Sequence, residues 1–248
     1  MTDQIKFTLD GNKVAAGADE TIWEVAKRLG TTIPHLCHSG EKGYRSDGNC
    51  RACMVEIDGE RVLAASCVRT PSEGMVVKSQ SARAQNARKM VIELLVADQP
   101  EQSQAHDKSS HFWDMAAGQG VTTSRFPKVE QTRVPLLDDS HVAMSINLDA
   151  CIHCNLCVRA CREVQVNDVI GMAGRGRDAK IVFDMDDPMG ASSCVACGEC
   201  VQACPTGALM PAAVLDAALV GDSQDYDHEV KSICPFCGVG CQISLKIK

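Results

Sequence analysis

Two cysteine runs of nearly identical spacing, in the second half of the chain, constrain its fold more than any other feature. Each reads Cys-x2-Cys-x2-Cys-x3-Cys, and the second is followed directly by Pro205. Thiolates at this spacing bind cubane [4Fe-4S] clusters, and in the two-cluster bacterial pattern the fourth cysteine of each run serves the other cluster. We therefore expect one [4Fe-4S] cluster on Cys151, Cys154, Cys157 and Cys204. We expect its neighbour on Cys194, Cys197, Cys200 and Cys161.

The composition suits a chain that metal sites help to fold. Aromatic residues make up only 4% of the 248 residues, whereas 15 residues are cysteines. In small metal-binding domains the free energy of metal binding drives folding and offsets a sparse core. The clusters are therefore expected to be structural as well as redox-active.

Charge and hydropathy exclude several classes of function. The net charge of -7 is mild and unclustered, whereas a nucleic-acid surface needs grouped Lys and Arg. No secretory signal and no bilayer-length apolar segment is evident. We expect a cytoplasmic protein with no nucleic-acid and no membrane partner. Thiols stay reduced in that compartment, and an odd number of cysteines cannot pair fully within one chain, so metal ligands are favoured over disulfides.

A first module is expected over residues 1–79, where four further cysteines lie among predicted strands. Residues 5–16 predict a hairpin, and a helix should follow it with Asp19 as its N-cap. Strands are expected at 54–57 and 61–63, on either side of an Asp-Gly turn. Three of the four ligand candidates lie on or beside that second hairpin, and the four are Cys37, Cys50, Cys53 and Cys67.

Hairpin, helix, ligand loop and second hairpin, in that order, resemble the β-grasp fold of plant-type [2Fe-2S] ferredoxins. The wide gap between the first two cysteines departs from the ferredoxin spacing. It is similar instead to the variant found in complex I large-subunit relatives, iron-only hydrogenases and some formate dehydrogenases. That resemblance implies a [2Fe-2S] cluster on Cys37, Cys50, Cys53 and Cys67. The predicted fold class is therefore α+β.

A helical linker is expected over residues 80–140. Residues 81–98 have helical periodicity, which predicts that Met90 and Leu94 lie on the apolar face and that Arg88 faces water. The rest of the segment is polar and has no cysteine, so it is interpreted as a linker or a degenerate module. His38 and His153, beside cluster cysteines, are predicted either to tune the cluster potentials or to be inert surface residues. Trp23 is expected to pack its helix, and Trp113 to anchor the linker.

The two-cluster module is expected over residues 141–212. Strands are predicted near Ser145 and at 180–183. Four arginines bring positive charge close to the first cysteine run. They are interpreted as charge that offsets the negative thiolate clusters, as a docking patch, or as ordinary solvated charge. They are Arg159, Arg162, Arg175 and Arg177.

The last segment, residues 213–248, contains a short Ala-rich helix and then an incomplete cluster motif. Its thiols are Cys234, Cys237 and Cys241, whereas a [4Fe-4S] cluster normally has four ligands. Three alternatives stay open: a stub without metal, a labile three-ligand cluster, and a third [4Fe-4S] site whose fourth ligand another chain supplies.

Taken together, the order of the motifs resembles the front of the large subunit of NAD-dependent formate dehydrogenases that contain molybdenum or tungsten. In that family the motif Cys-Pro-Phe-Cys-Gly-Val-Gly-Cys, at 234–241 here, opens a molybdopterin-oxidoreductase iron–sulfur domain. Many relatives also place a His-plus-three-Cys site between the first two modules. The segment around His106 and His111 has no cysteine, so that cluster should be absent.

The resemblance implies a relay between two partners. Electrons would pass from a Mo/W-bis-pterin catalytic portion through the clusters to a diaphorase-type subunit that holds FMN and reduces NAD, or in the reverse direction. The pterin and flavin groups belong to partner subunits or to missing parts, so this chain should not oxidise formate alone. Alternatives are a freestanding ferredoxin-like subunit, a subunit of an NAD-reducing hydrogenase, and a zinc-stabilised interaction module without redox activity.

Overall fold

The front of the chain folds into a five-stranded mixed sheet in the computed structural model, which describes residues 4–128, 137–215, 227–235 and 239–247. The strand order is β2-β1-β5-β3-β4, and the first and last strands in sequence, β1 and β5, pair in parallel. The strands are β1 (Ile5–Leu9), β2 (Asn12–Ala16), β3 (Met54–Ile57), β4 (Ala64–Ala65) and β5 (Val76–Lys78). The predicted first hairpin and β3 are confirmed. The strand predicted at 61–63 is wrong, because the chain returns to pair with β3 only at β4.

Helix α1 (Ile22–Arg28) packs across this sheet and buries Ile22, Trp23 and Val25. The sequence predicted Asp19 as the N-cap of this helix, but the N-cap is Thr21. The Thr21 hydroxyl accepts a hydrogen bond from the Glu24 amide, and the Glu24 carboxylate accepts one from the Thr21 amide. This reciprocal pair is a capping box, which satisfies two backbone donors at once.

Helix α2 (Ala82–Asp98) confirms the helix predicted over 81–98 and has Ser81 as its N-cap, but it turns a different face inward. Arg88 is 2% exposed, whereas Met90 and Leu94, expected inside, are 38% and 48% exposed. The buried positions recur at Ala84, Arg88 and Ile92, a four-residue spacing that forms one helix face. The prediction for the orientation of this helix was therefore wrong.

The segment expected to be a linker contains a packed helix, α3 (His111–Gly118). Phe112 and Trp113 on α3 are buried, together with Ile92 of α2 and with Leu36 and Ala52 from the ligand-bearing part of the first module. This shared core confirms the anchoring role expected of Trp113. Residues 129–136 of the predicted linker lie outside the described part.

The two-cluster module is built around short helices and two small sheets. Its strands are β6 (Leu137–Asp138), β7 (Met144–Asn147), β8 (Ile170–Ala173), β9 (Lys180–Phe183) and β10 (Leu209–Pro211), and its helices are α4 (Leu156–Arg159), α5 (Glu199–Ala203) and α6 (Ala212–Leu215). One sheet has the order β10-β7-β6 and the other pairs β8 with β9. The predicted strands near Ser145 and at 180–183 are confirmed. Much of the predicted Ala-rich helix after 212 lies outside the described residues.

The chain closes with an antiparallel hairpin of β11 (His228–Ile233) and β12 (Gln242–Ile247). Both strands are largely exposed to solvent. None of the helices in the described part of the chain has the length and hydrophobicity that crossing a bilayer requires.

Candidate metal centres

Four thiols of the first module converge beside its sheet. Cys37, Cys53 and Cys67 are fully buried, and Cys50 is partly buried. The Cys53 and Cys67 sulfurs are 3.4 Å apart. Hydrogen bonds from Cys50 and then Cys67 lower the pKa of the Cys37 thiol, so Cys37 links the two halves of the set. The structure thus brings together all four cysteines that the sequence singled out here.

Backbone geometry shapes the loop that carries Cys37 and Cys50. Gly48 has a φ of +61°, and a Cβ at this position would lie 2.7 Å from the Val68 side chain, so any other residue here would be strained. The Cys50 amide donates to the Cys37 sulfur at 3.4 Å. Amide donors of this kind stabilise negative sulfur, as an iron-bound thiolate requires.

His38 is buried at 7% exposure, contrary to the surface position that the sequence favoured. Its Nδ1 lies 2.6 Å from the Ser46 hydroxyl, and its ring packs edge-on against Trp23 at 4.3 Å between centroids. Its Nε2 is buried without a hydrogen-bond partner. Burial lowers the pKa of His38, which favours the neutral ring. A buried polar atom without a partner, beside a ligand candidate, fits a site that an inorganic group completes.

The two cysteine runs adopt the same backbone conformation. The residue before the second cysteine is left-handed in both, with φ of +53° at His153 and +58° at Ala196. The residue after it is also left-handed, with φ of +63° at Asn155 and +78° at Gly198. Each run then enters a short helix, α4 or α5, that carries the third cysteine. The two runs, each with its short helix, therefore form an internal structural repeat within the module.

The fourth cysteine of each run lies with the thiols of the other run. A small cavity is lined by Cys151, Cys154, Cys157 and Cys204, together with Ile181, Leu209 and neighbouring backbone. Burial, and then charge on nearby Cys204, raises the pKa of Cys154. Burial likewise raises the pKa of Cys200 to about 12, followed by charge on Cys197, Cys194 and Cys161. The thiols thus form the two sets that the crossed pattern predicts.

Polar groups approach the sulfurs of this module as well. The Val169 amide donates to the Cys161 sulfur at 3.3 Å, and the Ala196 amide donates to the Cys194 sulfur at 3.4 Å. The Thr206 hydroxyl lies 3.6 Å from the Cys204 sulfur. Donors around cluster sulfurs raise the reduction potential, so this backbone can tune a cluster as well as hold it.

The ligand loop of the first module contacts the two-cluster module. Cys37 shares a buried apolar cluster with Cys154 and Leu156. The Tyr44 hydroxyl donates to Glu199 at 2.8 Å, and the Asn49 amide donates to the His153 carbonyl at 3.3 Å. Neither contact was evident from the sequence, because Tyr44 and Asn49 belong to no motif.

The segment before α3 also contacts the end of the second run. His106, in the segment interpreted as a linker or a degenerate module, lies with Nδ1 2.9 Å from the Gly207 carbonyl. Gly207 has a φ of +71°, and a Cβ there would clash with the Asp107 side chain. His111 lies with Nε2 3.1 Å from the His35 carbonyl. Both histidines therefore connect segments by hydrogen bonds to backbone carbonyls.

The arginines near the first run do not share one environment. Arg159 is 2% exposed, which contradicts both the docking patch and the solvated charge considered for it. Arg162, three residues on, is exposed and forms a surface ion pair with Asp168 at 2.5 Å. Arg175 is exposed, and the side chain of Arg177 lies outside the described part.

The terminal hairpin holds Cys234 and Cys241 at the ends of its strands. The Cys234 amide donates to the Cys241 carbonyl at 2.8 Å. Cys237, the middle thiol of the predicted trio, lies outside the described residues. Among the side chains that the structure describes, no three His, Cys, Asp or Glu are placed to hold a single metal ion. The first module has one set of four thiols and the two-cluster module has two such sets. These all-thiol sets suit iron–sulfur clusters.

Comparison with protein families identifies three segments. Residues 2–82 match the model described as a 2Fe-2S iron–sulfur cluster binding domain, and residues 150–208 match the 4Fe-4S dicluster domain. Residues 227–248 match the molybdopterin oxidoreductase Fe4S4 domain. The predicted fold class and the predicted iron–sulfur cofactors are confirmed.

Curated relatives match along most of the chain. One of the NADH-quinone oxidoreductase subunits of Rhizobium meliloti is 33% identical over 246 residues, which are 97% of this chain and 27% of that protein. NADP-reducing hydrogenase subunit HndD of Solidesulfovibrio fructosivorans is 32% identical over 83% of this chain and 36% of its own length. The chain thus spans about a quarter to a third of the curated relatives it matches.

A solved structure has a similar fold. It is a crystal structure of NAD+-reducing [NiFe]-hydrogenase in the H2-reduced state, with a TM-score of 0.74 and 29% identity. The match covers 84% of this chain and 87% of the hydrogenase chain. The chain is therefore an iron–sulfur protein with a [2Fe-2S] domain, a 4Fe-4S dicluster domain and the start of a molybdopterin oxidoreductase Fe4S4 domain, similar to the matching regions of NADH-quinone oxidoreductase and of nicotinamide-linked hydrogenases.

Proposed function

We propose that this chain is an electron relay in which three clusters follow one another across the two modules. The observation that carries the proposal is the buried contact between Cys37 of the first thiol set and Cys154 of the first run. Electron transfer requires neighbouring cofactors, and the protein contributes their position and potential while the cofactors supply the redox chemistry.

The ligand assignments follow the three thiol sets. The [2Fe-2S] cluster would be held by Cys37, Cys50, Cys53 and Cys67. The [4Fe-4S] cluster next to it would be held by Cys151, Cys154, Cys157 and Cys204, and the further one by Cys194, Cys197, Cys200 and Cys161. Burial, followed by charge on the thiols of its own set and then on Cys200, raises the pKa of Cys157, which supports the closeness of the two [4Fe-4S] sites. A third [4Fe-4S] cluster, additional to the three of the relay, would take three ligands from Cys234, Cys237 and Cys241 where another chain or a continuation of this one supplies the fourth.

The chain's own residues contribute insulation and charge. Burial excludes water from five of the eight thiols in the [2Fe-2S] set and the adjacent [4Fe-4S] set, which are Cys37, Cys53, Cys67, Cys154 and Cys157. It also raises the pKa of the Cys154 and Cys157 thiols. Iron binding requires these thiols to ionise and to release their protons. The buried clusters would then exchange electrons without solvent access, which protects them from side reactions.

The relay would belong to a nicotinamide-linked oxidoreductase. Formate oxidation to carbon dioxide releases an electron pair and a proton, and a diaphorase-type flavin subunit would pass the pair to NAD. The match of residues 227–248 to a molybdopterin oxidoreductase domain supports a pterin-containing partner or continuation. A Staphylococcus haemolyticus protein whose name assigns it provisionally to the formate dehydrogenases is 24% identical across the whole of this chain. The chain would work in the cytoplasm.

A second candidate is the electron-transfer subunit of an NAD-reducing hydrogenase. The similarity to the [NiFe]-hydrogenase chain favours it, because this chain covers 87% of that chain. The terminal Fe4S4 motif favours the formate dehydrogenase. Affinity purification from anaerobic cells distinguishes them: a flavoprotein with a pterin enzyme supports the formate dehydrogenase, and a flavoprotein with a hydrogenase subunit supports the alternative.

Metal analysis with two single variants tests the relay and its ligands. We expect about ten iron atoms and as many acid-labile sulfides in the two complete modules. Cys204→Ser should perturb the [4Fe-4S] cluster that is coupled magnetically to the [2Fe-2S] cluster, whereas Cys161→Ser should perturb the other one. Colourless protein that contains zinc would refute the relay. The opposite result, in which Cys161→Ser perturbs the coupled [4Fe-4S] cluster and Cys204→Ser perturbs the other one, would refute the crossed assignment.

A further inference from the structure

Arg159 lies buried at the contact between the two modules. It is the last residue of α4, two positions beyond Cys157, and only 2% of its surface is exposed. Its Nη2 donates to the Cys37 carbonyl at 2.7 Å and to the Cys154 carbonyl at 3.2 Å. One guanidinium nitrogen therefore joins the backbone of a candidate [2Fe-2S] ligand to that of a candidate [4Fe-4S] ligand.

The other donors of Arg159 complete the connection. Its Nη1 donates to the Arg45 carbonyl, and its Nε donates to the Asn155 carbonyl at 3.3 Å. The Nε also lies 3.4 Å from the carboxylate of Asp47. Arg45 and Asp47 belong to the ligand loop of the first module, and Asn155 belongs to the first cysteine run. Each side of the contact thus supplies acceptors to the same buried cation.

Arg88 shows that burial alone does not account for this arrangement. It is buried to the same extent, but its Nε and Nη1 have no hydrogen-bond partner. A buried cation is costly unless it is paired and hydrogen-bonded. Arg159 meets that requirement with carbonyls that belong to two cluster-binding loops, so the loops cannot separate without leaving its donors unsatisfied.

We propose that Arg159 is a positioning residue that fixes the Cys37 loop against the first cysteine run and so sets the coupling between the [2Fe-2S] cluster and the adjacent [4Fe-4S] cluster. The inference rests on the proposed electron relay. The planar guanidinium offers donors in a fixed fork, whereas a lysine ammonium is a point charge that cannot reach carbonyls on both sides in the same way. The positive charge also lies between two negatively charged sites, where it favours their reduced states.

Three variants of the full chain, purified without oxygen, separate position from charge. Arg159→Lys keeps the charge and loses the fork, Arg159→Met loses both, and Arg162→Gln removes a nearby exposed arginine as the matched control. We measure iron and sulfide content, magnetic coupling between the reduced clusters, midpoint potentials, and the rate of electron transfer between the two clusters after rapid photoreduction.

The expected result is specific to each variant. Arg159→Lys should keep its clusters and its potentials, but the magnetic coupling should weaken and the transfer rate should fall about tenfold, because small misplacements of reacting groups cost large factors in rate. Arg159→Met should show the same loss and should also shift both midpoint potentials to more negative values. Arg162→Gln should match the wild type.

Several outcomes would overturn the inference. Wild-type coupling and transfer rate in Arg159→Lys would do so, as would clusters that show no mutual coupling in the wild-type chain. If Arg159→Met fails to fold, Arg159→Lys decides alone. Failure of the relay itself gives a different result, since the wild-type chain would then lack iron–sulfur signals altogether.

Discussion

Replacing Phe112 tests whether the segment between the modules is part of the core. Phe112 is fully buried, and its ring packs edge-on against Trp113 with 5.1 Å between centroids. Its amide donates to the Pro205 carbonyl at 2.8 Å, directly after the second cysteine run. Phe112→Ala would leave that backbone bond in place but open a cavity among Leu36, Ala52 and Ile92.

The expected loss is large. Truncating a buried phenylalanine to alanine costs roughly 3–5 kcal/mol, and the aromatic pair contributes about 0.5–1.5 kcal/mol within that figure. In a chain of this size a loss of 1 kcal/mol lowers the melting temperature by about 2–4 °C. Phe112→Ala should therefore melt roughly 6–20 °C below the wild type, and it should release iron to a chelator faster.

The matched control is Leu94→Ala on the neighbouring helix α2. Leu94 is 48% exposed, so its truncation should change the unfolding free energy by no more than about 0.5 kcal/mol. Both variants are followed by circular dichroism during anaerobic heating and by the absorbance of the clusters. Equal melting temperatures for the two variants would refute the packing of α3 against both modules.

Three further perturbations have defined outcomes. Arg88→Met should leave the unfolding free energy unchanged or raise it by about 1–3 kcal/mol, since two unsatisfied donors leave the core. It should also make the [2Fe-2S] potential more negative, because a buried cation near Cys53 is lost. Redox titration with EPR detection checks the sign of the shift, and a more positive potential would contradict this prediction. Thr21→Ala should lower the unfolding free energy by about 1 kcal/mol through loss of the capping box, whereas Asp19→Ala should be nearly neutral; thermal melts that rank them the other way would exclude Thr21 as the cap. Chelating the iron should expose residues 141–215 to limited proteolysis before the first module, because cysteines form much of the core there, and unchanged protection would contradict this metal dependence.

The sequence was sufficient to predict the three segments and the grouping of the thiols in the two complete modules. Cysteine spacing is a local property, and both runs have left-handed residues at equivalent positions, such as Asn155 in the first run and Gly198 in the second. The alternating apolar pattern likewise predicted β1, β2 and β3. These features depend on short-range rules that tertiary contacts seldom override.

The sequence could not predict which polar residues the modules bury between them. Arg159 and Arg162 both lie beside cysteines of the first run. Only the hydrogen bond from Arg159 to the Cys37 carbonyl, 122 residues away in sequence, distinguishes the two arginines. For His38, likewise, the sequence left open whether the ring tunes a cluster or lies on the surface, and it gave no sign of the burial that the structure shows. Burial at a contact between modules depends on residues that are far apart in the chain, so composition near a motif gives no signal of it.

The orientation of helix α2 was mispredicted because its apolar residues surround most of its circumference. Two stripes, one through Met90 and Leu94 and the other through Ala84 and Ile92, both satisfy helical periodicity. The structure buries the second stripe with Arg88 in it. A prediction based on hydrophobicity alone chooses the other stripe as the buried face, because the arginine makes this one less hydrophobic.

The core around Phe112 bears on how this protein can be divided for experiments. A fragment cut after residue 79 would keep every candidate [2Fe-2S] ligand, but it would strip α2 and α3 from Leu36 and Ala52. Leu36 and Ala52 directly precede Cys37 and Cys53 in sequence. Removing the two helices would therefore expose to solvent a surface beside these two candidate ligands. A fragment of residues 1–79 should therefore lose its [2Fe-2S] cluster, and with it its colour, sooner than the full chain does.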